Sequence, residues 1–170
     1  MPGRSGRPLV VLGIDPGTAT TGWGVVESSN NLMRLLDCGY ISTPAKMEHA
    51  KRLKMIYDEI SAIIDRFNPD EAGIERLYFY ANAKTAMDVS EARGVLMLAT
   101  VTMGVETFSY TPLEVKQAIT GYGKAKKAQV GEMVRLLLNL HDIPKPDDTA
   151  DAIAVAICHI NRSSPLLQIK

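Results

Sequence analysis

Four acidic residues, Asp15, Glu75, Asp148 and Asp151, stand at three separated points of a 170-residue chain. Each falls at the end of an expected secondary-structure element. Val10-Val11-Leu12-Gly13-Ile14 is a β-branched run that reads as a buried strand, and it delivers Asp15 into Pro16-Gly17, a turn. Ala72-Gly73-Ile74 repeats the arrangement in miniature, so Glu75 also lies at a strand end. Asp148 and Asp151 are spaced i, i+3 at the start of an Ala-rich run, which on a helix puts their side chains on one face about 5 to 6 Å apart. Carboxylates at that spacing suit a hard divalent cation, which prefers oxygen ligands to His or Cys. The chemistry available to such a cluster is metal-assisted hydrolysis of a phosphodiester.

Each acid also has a plainer explanation. Asp-Pro-Gly is a common turn, and Asp at its first position needs no chemistry. Acids among Asp147-Asp148-Thr149-Ala150-Asp151 are what a helix N-terminus prefers, because they complement the dipole and cap free N–H groups. Asp147 and Asp151 form an equally helical i, i+4 pair, so spacing leaves the choice between Asp147 and Asp148 open. The conjunction argues for function: three acidic element ends can open on one edge of a single α/β sheet, where sites form.

The elements that must position these acids follow from pattern. Pro8 to Ile14, Thr21 to Glu27 and Leu32 to Ile41 read as three strands in an antiparallel meander, separated by turn-forming clusters. Leu53, Ile56, Tyr57, Ile60, Ile63, Ile64 and Phe67 recur at helical spacing until Asn68-Pro69 stops them. A short strand ends at Glu75, and a helix from about Lys84 to Thr102 is expected to break at Gly94. Val105 to Tyr110 is the fifth strand. Thr111-Pro112-Leu113-Glu114 is a capping box with proline at the first helical position, opening a helix that runs to Thr120. Another helix spans Ala125 to Leu140, and the last carries the acidic pair. The expected fold is α/β, a mixed five-stranded sheet with helices on both faces, in the ribonuclease H-like layout. One domain accounts for the length, with residues 1–7 and 163–170 as frayed ends.

Composition narrows the partners. No apolar run approaches the roughly 20 residues of a membrane span, so no membrane partner and a cytoplasmic location are expected. Cys38 and Cys158 have neither disulfide-framework nor zinc spacing. Nineteen Lys and Arg balance nineteen Asp and Glu, which argues against a basic nucleic-acid-binding domain as a whole. The charge is unevenly placed, however: Lys116, Lys124, Lys126, Lys127 and Arg135 face the single acid Glu132 between positions 116 and 135. Cations so clustered can hold phosphates.

With these motifs in view, the chain resembles the RuvC-type Holliday-junction resolvases from about Leu9 to His159. Leu12-Gly13-Ile14-Asp15-Pro16-Gly17 is similar to the first family motif. Ile74-Glu75, followed by Asn82-Ala83 and Glu91-Ala92-Arg93-Gly94, is similar to the second, and Asp148-Thr149-Ala150-Asp151-Ala152 to the third. The resemblance implies a homodimeric endonuclease that resolves four-way DNA junctions with two Mg²⁺ per subunit, Mn²⁺ substituting, in recombination and repair. It implies that Asp15, Glu75, Asp148 and Asp151 are the metal-binding and catalytic carboxylates, with Asp147 as the cap. It also implies RuvA and RuvB, the branch-migration complex, as partners. The family places an aromatic after the second acid, here Tyr78 followed by Phe79 and Tyr80, and stacking on unpaired bases is the expected use of Tyr78 and Phe79. Lys116, Lys124, Lys126 and Lys127 are expected to contact phosphates. An actin-like or sugar-kinase nucleotide site also opens with a strand and Gly-x-Asp-x-Gly, but a chain of this length lacks the second domain that closes over ATP. Two cuts in strands of like polarity call for two sites, hence a twofold dimer, with the second helix around Met87, Val95, Leu96 and Met97 as the candidate interface.

Overall fold

The computed structural model describes residues 7–30, 32–76 and 83–163. Strands β1 (Leu9–Asp15), β2 (Thr20–Ser29) and β3 (Leu32–Ser42) form the antiparallel meander, and helix α1 (His49–Phe67) leads to β4 (Glu71–Glu75). Helix α2 (Ala83–Thr102), β5 (Glu106–Tyr110), α3 (Pro112–Thr120), α4 (Lys127–Leu137) and α5 (Asp147–Ser163) complete the order. The sheet order is β3-β2-β1-β4-β5, with β4 parallel to both β1 and β5. This is the expected ribonuclease H-like mixed sheet.

Strand alternation sorts the side chains between two cores. Leu12, Ile14, Val25 and Ile74 pack against Ile56, Ile60 and Ile64 of α1 and against Ala92, Leu96 and Ala99 of α2. Val11 and Val26 face the other way, toward α3, α4 and α5. The ends of the elements are chemically marked. Asn68 closes α1 in the left-handed conformation with its N–H on the Ile64 carbonyl, a residue type that tolerates positive φ. Thr111 and Glu114 make the reciprocal capping box at the start of α3.

Two sequence expectations are corrected here. Helix α2 runs unbroken through Gly94, because one glycine costs a helix only about 1 kcal/mol and the flanking turns are held by core contacts. Asp147 is the first residue of α5, and its carboxylate takes the Lys145 ammonium at 2.9 Å. It serves as an ion-pair partner for a neighbouring lysine.

The seating of α5 matters most for function. A Cβ built on Gly13 would stand 2.0 Å from the Ala152 carbonyl oxygen, and one on Gly22 would stand 1.9 Å from that of Asp148. No real side chain fits there, so the helix backbone lies directly on β1 and β2. Gly13 pairs with Gly24 on one side and Gly73 on the other, which makes a shallow trough across three strands. The Ala-rich sequence of α5 completes the close approach, and its residues from Thr149 to Ile160 are buried except Asp151.

Candidate active site

Asp15 and Gly13 share a face of β1, as Glu75 and Gly73 share a face of β4, and all four point toward α5 by alternation. The parallel register pairs Gly13 with Gly73 and Ile14 with Ile74. One step further, Asp15 and Glu75 lie side by side at the C-terminal ends of adjacent strands. The first turn of α5 crosses above them, because Gly22 admits the Asp148 backbone. Three segments distant in sequence thus bring Asp15, Glu75, Asp148 and Asp151 to one edge of the sheet.

Their electrostatics show how close they are. Burial pushes the Asp15 carboxyl up to about 9, and the charges of Glu75, Asp151 and Asp148 push in the same direction. Burial, with Asp151, raises Glu75 to about 7, while a hydrogen bond from Asp15 and the cations Lys127 and Lys116 pull it back. Burial and mutual repulsion thus push both carboxyls toward the protonated form, the usual outcome when two acids share a buried site. Asp151 accepts a 2.7 Å hydrogen bond from Lys127 Nζ, and this bond is the largest reason that the lysine's own pKa is raised.

The donor set is all carboxylate oxygen, which fits a hard divalent cation and not a soft one. Among the described residues no three His, Cys, Asp or Glu side chains are closed up to the spacing of a metal site. Asp151 is engaged instead by Lys127 at the start of α4.

The expected cations divide. Lys127 touches the cluster and Lys116 is near enough to act on Glu75. Lys124 and Lys126 are exposed in the connection between α3 and α4, and Lys126 uses its backbone N–H to bond the Gln129 side chain at 2.8 Å. Lys127, Lys145, Asp147 and Asp151 line a small recess of about 160 Å³ between α4 and α5. Tyr78, Phe79 and Tyr80 lie outside the described residues.

Arg93 was missed in its role. Its Nε donates to the Glu75 carbonyl at 3.3 Å and its Nη2 to Ser109 Oγ at 2.7 Å, so α2 fastens the end of β4 on which Glu75 stands. The sequence flagged Arg93 only within a motif, and nothing local to it announces a partner eighteen residues away. The glycine trough was missed as well; its signal is the recurrence of glycine at positions 13, 22, 24 and 73 on expected strands.

The chain matches the family model described as crossover junction endodeoxyribonuclease RuvC over residues 11–159. A relative with that name from Chloroflexus aurantiacus is 54% identical over 157 residues, covering 92% of this chain and 95% of the relative. The solved Thermus thermophilus RuvC structure superposes with a TM-score of 0.82 at 35% identity, covering 90% of this chain and 94% of that one. The T. thermophilus RuvC in complex with Holliday junction substrate gives 0.81 at 33%, with 90% and 93% covered. The convergence of acids from β1, β4 and α5 stands within this likeness, which spans nearly the whole chain: it belongs to the RuvC family of crossover junction endodeoxyribonucleases.

Proposed function

We propose that this chain is a structure-specific endonuclease that resolves four-way DNA junctions in recombination and repair, leaving 5'-phosphate and 3'-hydroxyl ends. The observation that carries this reading is the meeting of four carboxylates from three segments at one sheet edge, where burial and mutual repulsion raise both Asp15 and Glu75. Such mutual strain stabilises nothing in the fold and is relieved by bound positive charge.

Asp15, Glu75, Asp148 and Asp151 would hold the divalent ions, two Mg²⁺ or in their place Mn²⁺, since the set is all carboxylate oxygen. When bound, such ions would supply water activation and charge stabilisation for phosphodiester hydrolysis. The chain does the rest. The α5 trough fixes Asp148 and Asp151 relative to the strand ends, and Arg93 keeps Glu75 from retreating. Lys127 and Lys116 hold phosphates beside the cluster, while Lys124 and Lys126 extend the basic edge outward. Tyr78 and Phe79 follow Glu75 closely enough to stack on bases opened near the cut.

The working unit is a homodimer joined through α2, acting in the cytoplasm with RuvA and RuvB as branch-migration partners. Met87, Glu91, Gly94, Leu98 and Val101 repeat at intervals of four and three residues, the spacing of a coiled-coil seam. Met87, Leu98 and Val101 are 66%, 60% and 65% exposed, and Gly94 has open space where a side chain would stand. Leu96 belongs to the core and Val95 and Met97 pack against it, so three of the residues first expected at the interface serve this subunit and the seam lies on the opposite face of the helix. A second copy meeting that seam on a twofold axis presents two sites to equivalent strands of a junction.

A labelled four-way junction incubated with the purified chain tests the reading. Paired symmetric nicks that require Mg²⁺ or Mn²⁺, and that linear duplex does not undergo, are expected. Cleavage of duplex and junction alike, or none of either with both ions, would rule it out.

A further inference from the structure

Beside Asp148, the connection between β1 and β2 (residues 17–19) with Thr20 at the start of β2, Arg52 of α1, and Thr85, Asp88 and Val89 of α2 line an open cleft of about 390 Å³. The carbonyls of that connection are fastened inward. Gly17 O accepts Thr21 Oγ1 at 2.6 Å, Thr18 O accepts Thr43 Oγ1 at 2.6 Å, and Ala19 O accepts the Thr43 N–H at 3.1 Å. The N–H groups of Gly17, Thr18 and Ala19 donate to no acceptor among the described residues. Thr18 is only 6% exposed, and its Oγ1 has no partner.

Arg52 adds a positioned charge. Its Nε donates to Thr43 Oγ1 at 2.7 Å, so the hydroxyl that ties down Thr18 also orients the guanidinium. Both Nη groups are left without a carboxylate among the described residues. Successive free amides form a concave donor surface for an anion, and a fixed guanidinium is the natural companion of a phosphate. Two carboxylates share the cleft, Asp148 and Asp88. Asp148 belongs to the ion-binding cluster, whereas Asp88, on the α2 wall, repels any anion that enters.

We infer that this cleft is a subsite for a non-scissile backbone phosphate of the DNA strand, next to the phosphate lying over the carboxylates; the inference rests on the nuclease reading. Asp148 stands between the two positions. Because Asp88 opposes a small mobile anion, the subsite selects a phosphate delivered by a strand already held elsewhere.

The test compares binding of an intact four-way junction in Ca²⁺ with single-turnover cleavage in Mg²⁺. Arg52→Gln is expected to weaken junction binding about tenfold or more, the worth of a charged hydrogen bond, with Arg52→Lys recovering part of the loss. Asp88→Asn should tighten binding. Neutral methylphosphonate placed at the phosphate adjoining the cut should weaken the wild-type complex and leave the Arg52→Gln complex unaffected, while the same replacement at a remote phosphate affects both equally. Inorganic phosphate at millimolar concentration should not compete. Equal sensitivity of wild type and Arg52→Gln at every phosphate, or looser binding by Asp88→Asn, would overturn the subsite while wild-type cleavage kept the nuclease reading. Competition by inorganic phosphate would make the cleft a free-anion site and overturn its assignment to DNA. A wild-type chain that neither binds nor cuts the junction would remove the nuclease reading and the subsite with it.

Discussion

Helices α5 and α2 are of similar length and pack on opposite faces of the same sheet, yet they are built in contrary ways. Along α5 the residues from Thr149 to Ile160 are buried except Asp151, and its backbone rests on glycines. Among the described residues of α2 only Ala92, Leu96, Ala99 and Thr100 are buried, and Met87, Leu98 and Val101 stand in water. Backbone-to-backbone seating leaves no freedom of position, which suits a helix that must present two carboxylates to two strand ends. Side-chain packing along a single stripe leaves the other stripe free for a partner. One helix is held by its surroundings on nearly every side, the other along one stripe only.

The sharpest way to break this contrast is at the carboxylates. Asp15→Asn, Glu75→Gln, Asp148→Asn and Asp151→Asn should each slow junction cleavage at least about a hundredfold while junction binding in Ca²⁺ persists. Full-rate cleavage by any one of them removes that residue from the site. Next comes the trough: Gly22→Ala forces the Asp148 backbone to retreat, so cleavage should fall about tenfold to a hundredfold together with the melting temperature. Gly94→Ala, in open space on α2, should instead stabilise the folded subunit by about 0.5–1 kcal/mol. If the two alanines had similar effects on melting, the two helices would not differ as described.

The seam on α2 is tested by Leu98→Asp with Val101→Asp, which should convert a dimer to a monomer by sedimentation while the subunit keeps its melting behaviour. On a supercoiled cruciform plasmid the product should change from linear to nicked circles. A dimer that persists would place the interface elsewhere.

The smallest effect concerns Asp15 in metal-free protein. Its pKa rises from the usual 3.8 to about 9 on folding, so the folded state binds the proton more tightly than the unfolded state does. Stability is then greatest at low pH and falls as pH rises through that interval. In EDTA, Asp15→Asn should melt several degrees above wild type at pH 8, with the difference shrinking toward pH 5. An Asp15→Asn protein less stable than wild type at pH 8 would contradict the buried, crowded carboxyl.

Much of this was legible beforehand because it is local. The β-branched run before Asp15, the stop at Asn68-Pro69 and the Thr111 capping box each carry their own instruction within a few residues. The four acids were found the same way, by their places at element ends. The trough was not, since Gly13, Gly24 and Gly73 become neighbours only through strand register, and no short window contains more than one strand. The choice of α2 face failed for a different reason. Apolar residues occur all around that helix, so periodicity does not say which stripe is inside. Lys127 was read as a phosphate ligand from the clustering of cations and the family likeness, and its bond to Asp151 requires knowing that α4 begins beside α5.

The seating of α5 has a consequence for how the molecule opens. Amide protons exchange with solvent through local fluctuations where contacts are few and only through whole-domain unfolding where they are dense. A helix buried on nearly every side, touching β1, β2 and β4, belongs to the second kind, so its protons should be among the slowest to exchange. The outer turns of α2 belong to the first. Breathing of that outer layer can then occur, during assembly or while a junction is being opened, without moving Asp148 or Asp151 relative to the strand ends that complete the cluster.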